Sequence, residues 1–275
     1  MTIRDLLAAR IPAMYRSRIP TSFDVIGSRE KAVAIVEIPD ELKKYKTRIA
    51  SAIMKQHKNV RSVLDKGTPR KGIFRIRDYK LLAGDRDTEV MHNESGCRFL
   101  IDPRKAYFSQ REGTERLRIA SLVKNNELVM VLFAGVGPFP VIISRKTAAG
   151  KITGIEINPA AAGYFRKNVL LNKCRNVEVI EDDVRNIDLE HEYDRVIMPL
   201  PEKSIDYLPE AFQCLKPGGI IHFYFFADEA GIQLAKAKIR ALAKKSGRKI
   251  SFLGKVNVLP YGPRIWKMRL DIRVT

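Results

Sequence analysis

The second half of the chain alternates short apolar runs with amphipathic segments. The apolar runs have the length of buried strands, and the segments between them repeat apolar residues at helical spacing. The predicted strands are 128–133, 151–157, 176–180, 194–198 and 219–225, and the predicted helices are 138–148, 159–172, 204–215 and 229–246. Strands that alternate with helices predict a parallel sheet covered on both faces. Two further strands, 250–258 and 265–274, follow without a helix between them and predict an antiparallel pair at the end of the sheet.

The first half of the chain has a mixed pattern with shorter elements. Residues 31–38 predict a strand, and residues 40–57 predict a helix with Asp40 as its N-cap. Further short strands are predicted at residues 60–64, 72–77, 80–83, 88–92 and 97–101. A helix at residues 114–124 then leads into the alternating half. We therefore expect an N-terminal arm (1–21), a small α+β domain (22–108) and an α/β domain (109–275).

The chain is strongly basic, with 50 Lys and Arg against 31 Asp and Glu and a net charge of +19. The excess is concentrated, because residues 43–80 hold 13 basic and two acidic residues, and residues 236–249 hold seven basic residues and no acid. One explanation is the lysine-rich, solvated surface of a heat-adapted protein. The other explanation, which we favour, is a surface that binds a polyanion such as a nucleic acid.

Other bulk features narrow the class of protein. No apolar run approaches the roughly 20 residues that a membrane helix needs, and the apolar patch near the N-terminus is too short for a secretory signal. The three cysteines, Cys97, Cys174 and Cys214, are far apart and form no Cys-x-x-Cys pair, which argues against disulfides and a zinc site. We expect a cytoplasmic protein that does not contact a membrane and has no structural metal.

A turn that contains two glycines follows the first strand of the alternating half. The turn spans residues 133–137, and its glycines let the backbone come close to a ligand. About twenty residues later the next strand ends at Glu156, where a doubly wound sheet places a carboxylate that binds ribose hydroxyls. This order of elements predicts a pocket for a nucleoside-bearing cofactor.

The predicted cofactor is S-adenosylmethionine rather than a dinucleotide. The dinucleotide fingerprint Gly-x-Gly-x-x-Gly needs a third glycine under the pyrophosphate, and this chain has Pro140 at that position. S-adenosylmethionine has no pyrophosphate and needs only the close approach of the backbone. An acid after the third strand can accept a hydrogen bond from the adenine amino group, and Asp183 is our choice. Helix capping or plain solvation is an equal alternative for Asp182 and for Asp183.

A proline-rich loop follows the fourth strand, where the chain reads Met198-Pro199-Leu200-Pro201. Proline cannot continue a central strand, so the chain leaves the sheet at its carboxyl edge, where open α/β sheets bind ligands. A substrate loop and an ordinary strand-ending loop explain this pattern about equally well. Taken together, the predicted cofactor-binding residues are Phe133, Ala134, Gly135, Val136, Gly137, Glu156, Ile157, Asp182, Asp183 and Pro199.

Several segments along the chain resemble one known family. They are the glycine turn and the segments His57–Leu64, Gly72–Arg77, His92–Phe99, Ala106–Arg116, Glu156–Pro159 and Met198–Pro201. In this order they resemble the archaeal and eukaryotic tRNA (guanine-37 N1)-methyltransferases over roughly residues 22–275. The resemblance implies a Rossmann-like class I methyltransferase domain preceded by a small α+β RNA-binding domain. It also implies methyl transfer from S-adenosylmethionine to N1 of the guanosine 3′ of the anticodon.

This reaction needs two kinds of side chain near the guanine. N1 of guanine carries a proton at neutral pH, so methylation needs a general base near N1 and a cation or donor near O6. The resemblance assigns the base to Glu115, the O6 partner to Arg75 and an aromatic contact with the target to Tyr107. The residues alone leave other roles open. Glu115 could pair with Arg111 or Arg118 on its own helix, and Arg75 could contact a phosphate.

The chain departs from the family pattern in two places. The family's substrate loop commonly reads Asn-Leu-Pro, whereas this chain has Pro199 and so lacks an amide that could hold the guanine edge. Only about twenty residues precede the matched region, so we expect a form without the extra N-terminal domain that reads the tRNA elbow in many archaeal members.

Three questions about activity and partners stay open at this point. One alternative is a wybutosine-pathway relative that transfers the aminocarboxypropyl group or methylates a tricyclic guanine at the same position. Another alternative is a non-catalytic RNA-binding module. We expect a monomer that binds the anticodon stem-loop of tRNA, and the sequence leaves a need for Mg²⁺ undecided.

Overall fold

The computed structural model describes residues 2–67, 72, 74, 77–188 and 192–275. The chain forms two compact units, Met1–Gln110 and Arg111–Thr275. None of the described helices is long and apolar enough to cross a membrane.

The first unit is built on a four-stranded sheet. Its elements are α1 (Ile3–Leu7), β1 (Asp24–Gly27), β2 (Ala32–Val36), α2 (Lys46–Gln56), β3 (Val60–Asp65), β4 (Lys80–Gly84), β5 (Val90–Glu94) and β6 (Cys97–Ile101). The sheet has the order β1-β2-β3-β4. The parallel pair β2 and β3 is connected by α2, and the other neighbours are antiparallel. A separate antiparallel pair, β5 and β6, completes the small α+β architecture that the sequence predicts.

The core of the first unit includes the beginning of the chain. Every residue of β2 is buried, as its run of Ala, Val and Ile predicts. Ile3, Leu7, Ile11 and Ile19 are buried in the same cluster as the apolar face of α2. Residues 1–21, which the sequence assigns to an arm, therefore supply core side chains to this unit.

Local details of the first unit differ from the sequence predictions. The prediction of Asp40 as an N-cap is wrong, because residues 40–45 form a 3-10 turn and α2 begins only at Lys46. The Asp40 carboxylate instead pairs with Lys43 at 2.6 Å. The four-residue strand β1 is not predicted by the sequence. Half of the predicted strand at 72–77, residues 73, 75 and 76, lies outside the described residues.

The second unit is a seven-stranded sheet with helices. The helices are α3 (Gly113–Leu122), α4 (Pro138–Lys146), α5 (Pro159–Leu171), α6 (Leu208–Cys214) and α7 (Glu229–Lys245). The strands are β7 (Leu128–Leu132), β8 (Lys151–Ile155), β9 (Val177–Ile180), β10 (Tyr193–Met198), β11 (Leu215–Ala227), β12 (Ile250–Gly262) and β13 (Ile265–Val274). The sheet order is β12-β13-β11-β10-β7-β8-β9. The strands from β11 to β9 are parallel, and β13 is antiparallel to both of its neighbours.

The predicted α/β architecture of this unit is confirmed, with shifts at some ends of elements. β12 runs on to Gly262, through Pro260, because it is an edge strand on which a missing N–H is tolerated. The predicted helix 204–215 is a 3-10 turn over Ser204–Tyr207 followed by α6. A proline in the first turn of α6 fits this break, because the first N–H groups of a helix have no partner within it.

The two faces of the strands β10, β11 and β13 differ in character. One face of β13 places Leu270 and Ile272 in an apolar core cluster of the unit. The other face carries Lys267, Arg269 and Asp271 at alternate positions, of which the two cations are almost fully buried. Charged side chains are rarely buried without partners. The residues that pair with Lys267 and Arg269 on this face are therefore candidates for a functional site.

Candidate functional site

The glycine turn between β7 and α4 has a left-handed backbone at three positions. Phe133 and Gly135 each have φ of 59°, and Gly137, the N-cap of α4, has φ of 83°. The amide of Ala134 donates to the carbonyl of Ile155 at 2.8 Å. The turn is thereby tied to the carboxyl end of β8, at the edge of the sheet where the sequence places a cofactor.

The helix α5 packs closely beneath this turn. A Cβ atom at Gly137 would lie 2.0 Å from the ring of Phe165, and one at Gly154 would lie 2.4 Å from the same ring. The side-chain amide of Asn168 donates to the carbonyl of Val136 at 2.9 Å. Glycine is therefore needed at both positions because an aromatic ring fills the space that a side chain would occupy.

Glu156 joins the glycine turn to the beginning of α5. Its carboxylate accepts hydrogen bonds from the amide of Gly135 at 2.7 Å and from the amide of Asn158 at 2.8 Å. Burial raises the pKa of Glu156, while these backbone N–H groups oppose the shift. The neighbouring Ile157 is half-buried. The Glu156 carboxylate lies at the turn, as the sequence predicts. The two hydrogen bonds from backbone amides leave it further acceptor positions for hydroxyl donors.

The two acids after β9 have protein partners. Asp183 caps the 3-10 turn Val184–Asn186 and pairs with the guanidinium of Arg185, and this pairing lowers the pKa of Asp183. Asp182 is exposed and accepts from the side chain of Asn186 at 2.9 Å. Asp183 therefore has the capping contact that the sequence offers as an alternative to cofactor binding, and Asp182 is the exposed residue before it.

An aromatic contact links this region back to the turn. The guanidinium carbon of Arg185 lies 5.4 Å from the centre of the Tyr207 ring. The Tyr207 ring in turn packs edge-on against Phe133, with 4.9 Å between ring centres. Asp183, through Arg185 and Tyr207, thus supports the first residue of the turn.

The predicted general base, Glu115, is a buried carboxylate with three donors. It is 3% exposed and lies in the first turn of α3. Its Oε1 accepts from the hydroxyl of Tyr224 at 2.7 Å and from the guanidinium of Arg269, and its Oε2 accepts from Arg118 at 3.0 Å. The ion pair with Arg118 that the sequence offers as an alternative is present.

The tyrosine that holds Glu115 stays protonated. Burial and the neighbouring Glu115 carboxylate raise the pKa of Tyr224 well above its ordinary value. The Tyr224 hydroxyl therefore donates a hydrogen bond to Oε1 of Glu115 at every physiological pH. The ammonium of Lys267 lies 5.1 Å from the centre of the same tyrosine ring.

A chain of buried and partly buried polar groups extends from Glu115 across three strands. Asp271 accepts from Arg269 at 2.8 and 2.9 Å and from His222 at 2.6 Å. His222 also contacts the guanidinium of Arg195 at 2.6 Å, and Arg195 pairs with Glu127 at 2.8 Å. We call the series Glu115, Arg269, Asp271, His222, Arg195 and Glu127 the ionic network.

The histidine in the middle of the ionic network is neutral. A guanidinium has no acceptor, so Nε2 of His222 must accept from Arg195 and the ring proton must lie on Nδ1, which donates to Asp271. Burial lowers the pKa of His222 to about 4, against the opposing effect of Asp271. The neutral ring connects a cation on one side with an anion on the other without adding a charge.

Lys267 connects the proline loop to α3. Its ammonium donates to the carboxylate of Glu112 at 2.8 Å and to the carbonyl of Pro199 at 3.2 Å. Pro199 itself is half-buried. The first residue of the predicted substrate loop is therefore fixed by its carbonyl group, beside the strand that carries Arg269.

The remaining residues that the sequence singles out are Tyr107, Arg75 and the three cysteines. Tyr107 belongs to the first unit and is 44% exposed. Arg75 lies outside the described residues. The three cysteines are buried and unbridged, and among the described residues no group of three or more His, Cys, Asp or Glu side chains could hold a metal ion.

Sequence reasoning finds Glu115 but neither Tyr224 nor the other members of the ionic network. The signal that could have revealed them is the pattern of β13, where Lys267, Arg269 and Asp271 alternate with apolar residues in a strand expected to be buried. Alternation with a period of two places these charges on one face of the sheet.

Two family models match this chain. The model of the TRM5/TYW2 methyltransferase domain matches residues 90–251, and the model of the TYW2 N-terminal domain matches residues 3–88. The chain is 41% identical over 268 residues to the tRNA (guanine(37)-N(1))-methyltransferase Trm5b of Pyrococcus abyssi, a match that covers 96% of this chain and 78% of that protein.

Solved structures of proteins from the same family superpose on this chain. The crystal structure of P. abyssi Trm5b superposes with a TM-score of 0.86 at 39% identity, covering 96% of this chain and 78% of that one. The structure of aTrm5 in complex with tRNALeu superposes with a TM-score of 0.85 at 31% identity, covering 100% of this chain and 78% of that one. The structure of Pyrococcus horikoshii TYW2 in complex with MeSAdo superposes with a TM-score of 0.84 at 29% identity, covering 99% of this chain and 97% of that one. The chain therefore belongs to the TRM5/TYW2 methyltransferase family.

Proposed function

We propose that this protein is a tRNA (guanine-37 N1)-methyltransferase that uses S-adenosylmethionine. The observation that carries the proposal is the state of Glu115, a buried carboxylate with cationic and hydroxyl partners in the unit that also contains the glycine turn. The 41% identity to a protein described as a guanine-37 N1-methyltransferase supports it. Binding to the anticodon stem-loop, action as a monomer and a cytoplasmic location belong to the same proposal.

The turn and Glu156 suit the nucleoside part of S-adenosylmethionine. The carboxylate of Glu156 can accept from ribose hydroxyls, and the left-handed glycines allow close approach of the backbone. The cofactor supplies an electrophilic methyl group. Phe133, Ala134, Val136, Ile157, Asp182, Asp183 and Pro199 complete the proposed cofactor site.

Glu115 accepts the N1 proton of the guanine through Oε2. A carboxylate offers about four acceptor positions, and Oε1 already accepts from Tyr224 and Arg269, whereas Oε2 accepts from Arg118. The Arg118 side chain is 42% exposed, so it can move aside without the cost of leaving a buried position. The proton passes from N1 to Oε2, which leaves N1 able to accept the methyl group that S-adenosylmethionine would supply.

Two residues of the first unit complete the proposed mechanism. Arg75 donates to O6, where negative charge collects when N1 loses its proton. Tyr107 contacts the target base through its ring. In place of the family asparagine, the Pro199 loop can offer the guanine edge only backbone groups. Because Lys267 already fixes the Pro199 carbonyl, the position of this loop does not depend on an amide side chain.

The function is tested with transcripts that differ at one nucleotide. A tRNA with guanosine after the anticodon should gain one methyl group at N1, identified by nucleoside mass spectrometry after digestion. A transcript with adenosine at that position has no N1 proton and no O6, and we expect no product from it. Equal methylation of both transcripts, or a product mapped to another position, would contradict the proposal.

Replacing Glu156 by alanine should weaken cofactor binding. Hydrogen bonds to a charged group contribute about 1.5–3 kcal/mol, so we expect roughly 10- to 100-fold weaker binding of S-adenosylmethionine by Glu156→Ala, measured by calorimetric titration. Glu178→Ala, which removes an exposed acid from the neighbouring strand β9, is the matched control and should bind normally. An unchanged Kd for Glu156→Ala would remove this residue from the site.

A second candidate activity is supported by the match of the first unit. Residues 3–88 match the TYW2 N-terminal model. A relative from Pyrococcus horikoshii is described as a tRNA(Phe) (4-demethylwyosine(37)-C(7)) aminocarboxypropyltransferase. The two activities differ in the mass they add to the base, so the same mass spectrometry separates them when a demethylwyosine-containing tRNA is also supplied.

A further inference from the structure

An aromatic ring of the hairpin that joins β12 to β13 packs against an aromatic ring of β11. The ring centres of Tyr261 and Phe226 are 4.0 Å apart, with an angle of 31° between the planes. Tyr261 is 61% exposed, while Phe226 of β11 is half-buried beneath it. We call Tyr261 and Phe226 the aromatic pair. The Tyr261 ring faces solvent, and the Phe226 ring packs against its inner side.

The aromatic pair lies on the same face of the sheet as Glu115's partners. Phe226 is two residues beyond Tyr224 on β11, and residues i and i+2 of a strand point to the same face, about 7 Å apart. Tyr224 is the residue that donates to Glu115. The strand partner of Phe226 is Lys267, which binds the carbonyl of Pro199. Phe226, against which the exposed ring packs, therefore neighbours both Tyr224 and Lys267 on this face of the sheet.

The surroundings of the aromatic pair suit a nucleic acid better than an apolar partner. The turn of the hairpin adds Arg264, which is exposed and has a φ of 61°. The chain as a whole has a net charge of +19, which favours association with a polyanion. Proteins recognise unpaired nucleotides by stacking them on aromatic side chains and by pairing cations with their phosphates.

We propose that Tyr261, supported by Phe226, stacks a nucleobase adjacent to the target guanosine in the anticodon loop. This inference rests on the proposed function and extends it to a second nucleotide. A guanosine whose N1 reaches Glu115 must leave the base stack, and its neighbours then lose a stacking partner. The exposed ring of Tyr261 replaces that partner at the edge of the site.

The test uses an anticodon stem-loop RNA in which 2-aminopurine, a base whose fluorescence is quenched by stacking, replaces a neighbour of the target guanosine. Two RNAs are made, one labelled on each side. We expect the wild-type protein and Tyr261→Phe to quench one of them, and Tyr261→Ala to leave both unquenched. We also expect Tyr261→Ala to bind the RNA about tenfold more weakly, the size of one base–aromatic stack.

Two controls keep the result specific. Leu253→Ala removes another exposed apolar side chain from β12, 47% exposed, and should quench and bind like the wild type. Trp266, the one tryptophan of the chain, is paired with Pro260 beside Tyr261. Its unchanged emission in the free Tyr261→Ala variant shows that the hairpin is intact.

The outcomes separate this inference from the proposed function. If the wild type methylates guanosine-37 but Tyr261→Ala quenches and binds as the wild type does, the stacking role is wrong and the function stands. If Tyr261→Ala and Leu253→Ala weaken binding equally, the hairpin acts through general apolar contact and the stacking role is again wrong. A wild type that methylates no guanosine-37 overturns the proposed function itself.

Discussion

Glu115→Gln should reduce the single-turnover rate of methyl transfer by roughly 10²–10⁴-fold, the usual effect of losing a general base. The amide keeps an oxygen that can accept from Tyr224 and Arg269, so the buried contacts of Oε1 are retained. It presents an NH₂ group where Oε2 was, and that group cannot take a proton from guanine N1. Arg118, which loses its acceptor, is exposed enough to turn into solvent.

The measurement is quenched-flow methylation of guanosine-37 tRNA at saturating cofactor, with separate titrations for RNA and for S-adenosylmethionine. The matched control is Glu127→Gln, because Glu127 also pairs with a buried arginine but lies at the other end of the ionic network. We expect the control to keep the wild-type rate. A Glu115→Gln rate within about threefold of wild type would mean that Glu115 is not the base and serves only to accept hydrogen bonds from Tyr224 and Arg269.

Arg195→Met should lower the free energy of unfolding by about 3–5 kcal/mol, the usual cost of breaking a buried ion pair by removing one partner. Arg195 is 2% exposed and donates to Glu127, to His222 and to the carbonyl of Leu122 at 2.7 Å. Methionine fills a similar volume but leaves all three acceptors without this donor. The Glu127 carboxylate contributes most of the cost, because a charged group suffers most from burial without a partner.

Urea unfolding, followed by circular dichroism, gives this value. Arg273→Met removes a cation from the exposed part of β13 and should change stability by less than about 0.5 kcal/mol. A loss below about 1 kcal/mol in Arg195→Met, within the range of exposed ion pairs, would show that water reaches the network and replaces the arginine.

Sequence reasoning succeeds where the signal is local. The strands β7 and β8, the glycine turn and the position of Glu156 follow from apolar runs, from glycines and from the spacing between them. The capping role of Asp183 is also local, because its partner Arg185 is two residues away. Each of these features is decided by a few neighbouring residues, and single-sequence patterns record such neighbours well.

The partners of Glu115 are not local. Tyr224 and Arg269 are 109 and 154 positions away in the sequence, and they meet Glu115 only because β13 inserts beside β11. The order of the last two strands is fixed by tertiary packing, which no periodicity records. The sequence could therefore offer Arg118, three residues from Glu115, as a partner, but not the two buried donors.

The position of β13 has a consequence for synthesis of the protein. This strand follows every other strand of the sheet in the sequence, yet it lies between β11 and β12. While the ribosome is still making it, β11 has an open edge, β12 has no neighbour, and Glu115 lacks Arg269. The unit thus completes its sheet and its ionic network in one late step, and until then it exposes the kind of strand edge that chaperones protect.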